Sequence, residues 1–208
     1  MRHAKPSLPF GGRVYYGQTD FPLSDEGESD ARMIADAVKD TGFDAVYSSD
    51  LCRAVRTAKI VAPDLHINTT PMLREIDLGD WEGKSYDEVR EEFKEIYDSR
   101  GSDFTKIAPP RGETFAQLQV RSVKAFNEIA DHHKSGRVLI VSHGAFIWSV
   151  VSHIMGLNLS DMFFYPLDYC GIHFIEERCG RLGLIRYNWR PGLLRSRGGS
   201  ETRTVSGK

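Results

Sequence analysis

VLIVSHGAFIWSVVSHIM, residues 138–155, combines a buried strand and a helix in the order typical of an α/β protein. Its first four residues, Val138–Val141, are all apolar, which indicates a strand covered on both faces of a parallel sheet. The apolar stretch at about Ala145–Met155 predicts a helix that follows directly. His143 lies between the two, at a helix amino terminus, where backbone N–H groups favour a bound anion. By itself this position fits a core or capping histidine as well as a functional one.

Helix and strand patterns alternate along the rest of the chain. Ser24 precedes acidic residues and an apolar repeat at a spacing of three to four residues, which predicts a capped helix. Asp44–Tyr47 is a short apolar strand, after which Ser49 or Asp50 can cap the next helix. Thr114 can cap a long one. Further elements are predicted as a strand at His66–Asn68, a charged helix at about Tyr86–Tyr97, and an antiparallel pair, Ile172–Glu176 with Leu182–Tyr187.

This alternation predicts an α/β fold, a three-layer sandwich with a mostly parallel central sheet flanked by helices. In such folds ligands bind beyond the carboxyl ends of the strands. The chain has 208 residues, 40% of them hydrophobic, which suits one domain with a sizeable core. We expect this domain over residues 1–190, followed by a disordered basic tail at 191–208 that is rich in Arg, Ser and Gly.

Charge and hydropathy restrict the partners. The net charge of −2 gives no sign of the large basic field that a nucleic acid or an anionic membrane would require. No apolar run approaches the ~20 residues of a membrane-spanning helix, and the amino terminus has no apolar signal region. We therefore expect a cytoplasmic protein with a small soluble substrate, no nucleic-acid or membrane partner, and an oligomeric state that the sequence leaves open.

Cysteine and acidic-residue patterns give no sign of a metal or a cofactor. Cys52, Cys170 and Cys179 contain no CxxC pair, so free thiols are expected, although a bridge between the last two is conceivable across a hairpin. Asp, Glu and His residues do not cluster at the spacing of metal ligands. The prediction is a site with no metal and no cofactor.

Five strings occur in a fixed order along the chain. They are RHAKP at 2–6, GQTDFPLSDEG at 17–27, YSSDLCRAVRTA at 47–58, LREIDLGDWEG at 73–83 and VSHGA at 141–145. Together they resemble the histidine phosphatase (phosphoglycerate mutase-like) superfamily over about Met1–Trp189. The resemblance is to the small branch that includes α-ribazole phosphatases, broad-specificity phosphatases and cofactor-dependent phosphoglycerate mutases. It implies a phosphoglycerate mutase-like fold and phosphomonoester hydrolysis through a phospho-histidine.

The resemblance also implies a role for each matched residue. His3 would be the nucleophile, Arg2, Arg53 and His143 would bind the transferred phosphoryl group, and Glu75 would be the proton donor. Side-chain chemistry fits these roles, since guanidinium groups match phosphate oxygens and a neutral imidazole can attack phosphorus. A departing alkoxide needs a proton, which a carboxylic acid can supply.

Other interpretations of these loops stay open. Glu75 could form a surface ion pair with Arg74 or Arg111, and Asp77 is then the nearest alternative acid. Thr19 is a candidate contact to a phosphate or a substrate hydroxyl, within a loop whose backbone is expected to frame the pocket. The run 81–83, Trp-Glu-Gly, fits loop architecture better than substrate contact.

The chain departs from the family pattern in two places. Many relatives have Gly-Glu after the Arg-His pair and an Asn a few residues later, where this chain has Ala4-Lys5 and then Leu8, Pro9 and Phe10. Relatives also have an apolar strand before the pair, where this chain has only Met1. The expectation is that the native protein begins upstream, because His3 would otherwise lack a rigid anchor and Val138–Val141 would keep unpaired backbone groups.

Three functions remain in competition. A phosphatase acting on a small phosphorylated metabolite is preferred, because the chain is short for the mutase branch and lacks the basic surroundings expected for bisphosphorylated sugar acids. The alternatives are a cofactor-dependent phosphoglycerate mutase and a weakly active phosphate-binding scaffold protein. Fold resemblance alone does not separate them.

Overall fold

A computed structural model describes residues 1–191 of the chain, so the tail predicted at 191–208 lies outside the described residues except for Pro191. The helices are α1 (Asp25–Val38), α2 (Cys52–Val61), α3 (Tyr86–Glu92), α4 (Lys94–Ser102), α5 (Phe115–His132) and α6 (Gly144–Met155). The strands are β1 (Ala45–Ser49), β2 (Ile67–Thr70), β3 (Val138–Val141), β4 (Ile172–Arg178) and β5 (Arg181–Trp189). Short 3₁₀ turns lie at Phe10–Gly12, Pro71–Leu73, Gly79–Trp81 and Leu159–Phe164.

The central sheet has the strand order β2-β1-β3, and all three strands are parallel. Side chains alternate between its two faces, as they do along any strand. Val46, Leu139 and Val141 pack with α1 and α2 on one face. Tyr47, Val138 and Ile140 pack with α5 and α6 on the other. The predicted α/β sandwich, with helices on both faces of a parallel sheet, is therefore confirmed.

The segment Met1–His3 extends this sheet beside β3. The amide of His3 donates to the Ser142 carbonyl (2.9 Å), and the amide of Ser142 donates to the Met1 carbonyl (3.0 Å). On the other side, the amide of Cys170 donates to the His3 carbonyl (3.2 Å). The expectation that His3 would lack a rigid anchor is therefore wrong, because the loop before β4 supplies a second backbone partner to these first residues.

Two of the three capping predictions are confirmed. The Ser24 hydroxyl accepts from the amide of Gly27 at the start of α1 (3.0 Å), and Thr114 forms a reciprocal capping box with Gln117 at the start of α5. The third prediction is wrong, since neither Ser49 nor Asp50 caps α2. The first amide of α2, that of Cys52, donates instead to the carboxylate of Asp20, 32 positions away in the sequence.

The charged segment after residue 85 forms two helices instead of one. Phe93 leaves helical geometry (φ −120°, ψ 34°) and separates α3 from α4. Val89 before the break and Tyr97 after it pack on the same cluster around the buried Trp81. The change of direction lets both short helices cover that cluster.

The carboxyl-terminal strands β4 and β5 form the predicted antiparallel pair, joined at Cys179-Gly180, where both residues adopt positive φ. All three cysteines are free thiols, so Cys170 and Cys179 are not bridged. Among the described residues, no helix combines the length and apolar character required to cross a membrane.

Candidate active site

The five residues singled out from the sequence converge at the carboxyl end of the sheet. His3 follows the short backbone ladder beside β3, and His143 is the N-cap of α6 directly after β3. Arg53 lies in the first turn of α2, after β1. Arg2 and Glu75 both lie beside Gly144, the first residue of α6. A Cβ atom at that position would be 3.6 Å from the guanidinium carbon of Arg2 and 3.7 Å from Oε2 of Glu75.

His3 is a buried, neutral imidazole with a fixed tautomer. Nδ1 of the ring lies 2.7 Å from the carbonyl oxygen of Ala4. Because a carbonyl can only accept, Nδ1 carries the proton and Nε2 keeps its lone pair. Burial lowers the pKa of His3 well below its usual value, and the charges of Arg2 and Arg53 lower it further. The ring is therefore available as a nucleophile at and below neutral pH.

His143 faces His3 across the site. The two ring centroids are 4.9 Å apart and the rings are tilted by 59°. Burial, followed by His3 and the nearby arginines, lowers the pKa of His143 well below its usual value. Within residues 1–191, neither ring nitrogen of His143 has a hydrogen-bond partner.

Arg53 is fully buried and is held by main-chain carbonyls. Its Nη1 donates to the Thr19 carbonyl (2.7 Å) and its Nη2 to the Gly17 carbonyl (2.6 Å). The loop that carries these carbonyls reaches α2 through Asp20, whose Oδ1 accepts from the amide of Cys52 (2.8 Å). Asp20 thus takes the capping role that was assigned to Ser49 or Asp50, because its carboxylate accepts from the first amide of α2.

Glu82 organises the same loop from the other side. Its carboxylate accepts from the amides of Gly17 (3.1 Å), Gln18 (2.7 Å) and Thr19 (2.9 Å). The Thr19 hydroxyl also donates to Glu82, so both donors of this candidate phosphate ligand are directed away from a substrate. The loop is therefore a rigid frame that presents two carbonyls to Arg53.

Arg2 is held by a main-chain carbonyl and an aromatic ring. Its Nη1 donates to the carbonyl of Leu167, and its guanidinium carbon lies 4.0 Å from the centroid of the Tyr169 ring. Arg2 Nε and Arg53 Nε are buried and, like the His143 nitrogens, have no partner among the described residues. Buried donors are almost always paired in native proteins, so this concentration of unpaired nitrogens beside His3 is what an anion-binding site requires.

Glu75 accepts two backbone hydrogen bonds, from Ile76 (3.0 Å) and from Ala145 in the first turn of α6 (3.1 Å). It makes no ion pair with Arg74, which binds Asp50, nor with Arg111, which binds Asp80. The surface ion pairs considered for Glu75 are therefore absent among the described residues. The alternative acid Asp77 caps its own turn, through Oδ1 and the amide of Gly79 (2.8 Å).

Two tyrosines that the sequence analysis missed also border the site. The hydroxyls of Tyr16 and Tyr169 are 2.6 Å apart, and the Tyr169 ring lies 5.6 Å from the His3 ring. Tyr16 directly precedes the string that begins at Gly17, but nothing in the sequence indicates its pairing with a residue 153 positions away.

Among residues 1–191, no group of three or more His, Cys, Asp and Glu side chains is arranged to hold a metal ion.

The family model of the histidine phosphatase superfamily (branch 1) matches residues 1–190. The chain belongs to this superfamily. A phospho-histidine mechanism is typical of its members, and the predicted family, with its phosphatase relatives, is confirmed.

Individual relatives and structures agree with this placement. The chain is 36% identical over 155 residues to the phosphoglycerate mutase-like protein 4 of Arabidopsis thaliana, covering 72% of this chain and 67% of that protein. The crystal structure of the α-ribazole phosphatase of Shigella flexneri superposes with a TM-score of 0.84 at 26% identity, covering 91% of this chain and 95% of that one. The YhfR protein of Bacillus stearothermophilus gives a TM-score of 0.82 at 32% identity, covering 88% and 92%.

Proposed function

We propose that this enzyme is a phosphomonoester hydrolase that acts on a small phosphorylated metabolite, with His3 as the nucleophile. Arg2, Arg53 and His143 bind the transferred phosphoryl group, and Glu75 is the proton donor. The observation that carries the proposal is the set of buried nitrogens on Arg2, Arg53 and His143 that lack a partner among the described residues and surround the neutral ring of His3.

The first step transfers the phosphoryl group to the enzyme. Nε2 of His3 attacks phosphorus while the bond between phosphorus and the ester oxygen breaks, and Glu75 gives its proton to the departing oxygen. Negative charge on the non-bridging oxygens is met by the two guanidinium groups and by His143. The two guanidinium groups are preorganised by carbonyl contacts, so little reorganisation is needed as the charge shifts.

The second step returns the enzyme to its starting state. Water attacks the phosphorus of phospho-His3, and the Glu75 carboxylate takes a proton from that water. The bond between phosphorus and Nε2 breaks, inorganic phosphate leaves, and His3 is again neutral with its proton on Nδ1. The Ala4 carbonyl holds that proton through both steps and keeps Nε2 directed at the substrate.

Charge pairing around Glu75 favours hydrolysis over the mutase reaction. A mutase must bind a second anionic group of its bisphosphorylated intermediate. A cavity of about 330 Å³ beside the Glu75 loop is lined by Gln18, Asp77, Arg111, Gly112, Glu113, Gln117 and Arg121. Its two arginines are already paired, Arg111 with Asp80 and Arg121 with Glu113. A cavity wall whose arginines are already paired suits a polar leaving group better than a second phosphate.

The proposal also includes a cytoplasmic location for the enzyme.

A turnover screen over phosphomonoesters, run with and without a bisphosphoglycerate, tests the proposal. We expect phosphate release that does not depend on the bisphosphoglycerate. Acid quenching destroys a phospho-histidine, so turnover is stopped in base and the labelled peptide is mapped, with the label expected on His3. His3→Ala is expected to remove both label and turnover.

The competing functions give different results in the same screen. Isomerisation that requires the bisphosphoglycerate would support the mutase, and phosphate binding without turnover would support the scaffold protein. A label on His143 would reverse the roles of the two histidines. His153, exposed on α6, provides the control, since His153→Gln should leave labelling unchanged.

A further inference from the structure

Tyr16 and Tyr169 join two loops that border the site. Their hydroxyl oxygens are 2.6 Å apart, in a hydrogen bond that either hydroxyl can donate. Tyr16 precedes Gly17, whose carbonyl holds Arg53, and Tyr169 precedes Cys170, whose amide donates to the His3 carbonyl. The pair therefore connects the backbone that holds Arg53 with the backbone that holds His3.

Each ring lies against one of the two phosphate-binding arginines. The Arg2 guanidinium carbon is 4.0 Å from the centroid of the Tyr169 ring, and that of Arg53 is 5.4 Å from the centroid of the Tyr16 ring. These are the guanidinium groups whose Nε atoms are buried without a partner among the described residues. Both tyrosine rings therefore border the guanidinium groups that are proposed to hold the anion.

The hydroxyl pair has one proton to spare. Each phenol carries one O–H, and the bond between the two hydroxyls uses one of them. The second O–H is not used within the pair and is available to another acceptor. Burial and the neighbouring phenol raise the pKa of Tyr16, so its hydroxyl stays protonated, and able to donate, throughout the neutral range.

We propose that the Tyr16–Tyr169 hydroxyl pair is a further phosphate-binding element, which donates its free O–H to a non-bridging oxygen of the transferred phosphoryl group. The proposal rests on the proposed function of the same site. Because the two hydroxyls share one free proton, the pair acts as a single donor, and either tyrosine alone can supply it.

Phenylalanine substitutions test this sharing. In Tyr16→Phe or Tyr169→Phe the remaining hydroxyl no longer donates to its neighbour, so one free O–H is retained, and kcat/KM should fall by about 3-fold or less. The double variant has no donor. We expect it to lose roughly 10- to 100-fold in kcat/KM and in affinity for inorganic phosphate, the usual range for a hydrogen bond to a charged group. Tyr15→Phe is the matched control, because the Tyr15 ring packs on Trp81 and Tyr86 instead.

The phosphate-binding measurement, by calorimetry, separates this proposal from a structural tie between loops. A tie is broken by either single substitution, so Tyr16→Phe or Tyr169→Phe alone would then lower the affinity for phosphate as much as the double variant does, which would overturn the proposal. An unchanged affinity in the double variant would also overturn it, since the pair would then donate nothing to the phosphate. If the wild type binds phosphate but releases none from any ester, the proposed function fails, while the binding comparison still decides the role of the pair.

Discussion

Arg121 on α5 ties down the main chain of Glu75. Its Nη2 donates to the Glu75 carbonyl (3.3 Å), and its Nη1 donates to the carbonyls of Met72 (2.9 Å) and Arg74 (3.0 Å). Glu113 holds the other edge of the same guanidinium (2.9 Å). One side chain thus fixes the loop that carries the proposed proton donor, while Ala145 fixes its carboxylate.

Glu75→Gln tests the proton donor itself. Glutamine keeps the shape of the side chain but cannot release a proton to the departing oxygen. We expect kcat on alkyl phosphates to fall by roughly 10²-fold or more, the usual scale of general acid catalysis. Aryl phosphates with good leaving groups should lose much less. Equal losses on both substrate classes would assign Glu75 a structural role, and Asp77→Asn would then be measured in the same way.

Arg121→Lys tests the positioning of that donor. A lysine ammonium cannot reach three carbonyls and a carboxylate at once, so the Glu75 loop should become less well fixed. We expect kcat to fall about tenfold on alkyl phosphates and less on aryl phosphates, the same leaving-group pattern as in Glu75→Gln but smaller. Arg32→Lys, exposed on α1, is the control. A loss that ignores the leaving group would show that Arg121 only stabilises the fold.

Acid should destabilise the protein through its buried histidines. In the unfolded chain a histidine binds a proton below about pH 6.5. In the folded chain burial keeps the pKa of His143 far lower, and burial likewise lowers the pKa of His173 to about 3. Because the unfolded state then binds more protons, the free energy of unfolding falls as pH drops below about 6.5, and the slope approaches about 1.4 kcal/mol per pH unit for each such histidine.

Denaturant unfolding of His143→Asn at about pH 6.5 and pH 5.5 isolates one of these contributions. The variant should lose about 1 kcal/mol less than the wild type between the two pH values, because the unfolded histidine is already half protonated at the higher one. His153→Gln, on the same helix but exposed, should lose as much as the wild type. Equal losses in all three proteins would mean that His143 is not held neutral in the folded state.

Exhaustive chelation should leave activity unchanged, because every step proposed here uses side chains of the chain and no metal ligand set is arranged within residues 1–191. The measurement is phosphate release before and after prolonged treatment with a strong chelator. Loss of activity that magnesium or zinc restores would contradict the mechanism.

Local features of the fold could be predicted because local chemistry produces them. The apolar run Val138–Val141 forms a strand covered on both faces, and Thr114 caps α5 through a residue three positions away. The interpretation of Ser49 and Asp50 as caps was wrong, since a carboxylate outside the local sequence, that of Asp20, reaches the first amide of α2.

Long-range pairings in the site could not be predicted in this way. The backbone partner of His3 comes from the loop at Cys170, and the hydroxyl partner of Tyr16 is Tyr169. No periodicity or spacing indicates such contacts, because they depend on how the loop before β4 packs beside Met1–His3 in the finished fold. The residue types of the site were recognisable from its motifs, whereas the contacts that hold them required the structure.

Glu82→Gln tests the frame on which Arg53 depends. The carboxylate accepts from three consecutive amides, those of Gly17, Gln18 and Thr19, whereas a glutamine amide offers one oxygen and turns an NH₂ group towards these donors. We expect a loss of about 1.5–3 kcal/mol in the free energy of unfolding, the scale of hydrogen bonds to a charged group. The affinity for inorganic phosphate should also fall, because the displaced loop carries the two carbonyls that orient Arg53. Glu91→Gln, exposed on α3, is the control for the change of charge. If Glu82→Gln unfolds more easily but binds phosphate as the wild type does, Arg53 is oriented independently of this loop.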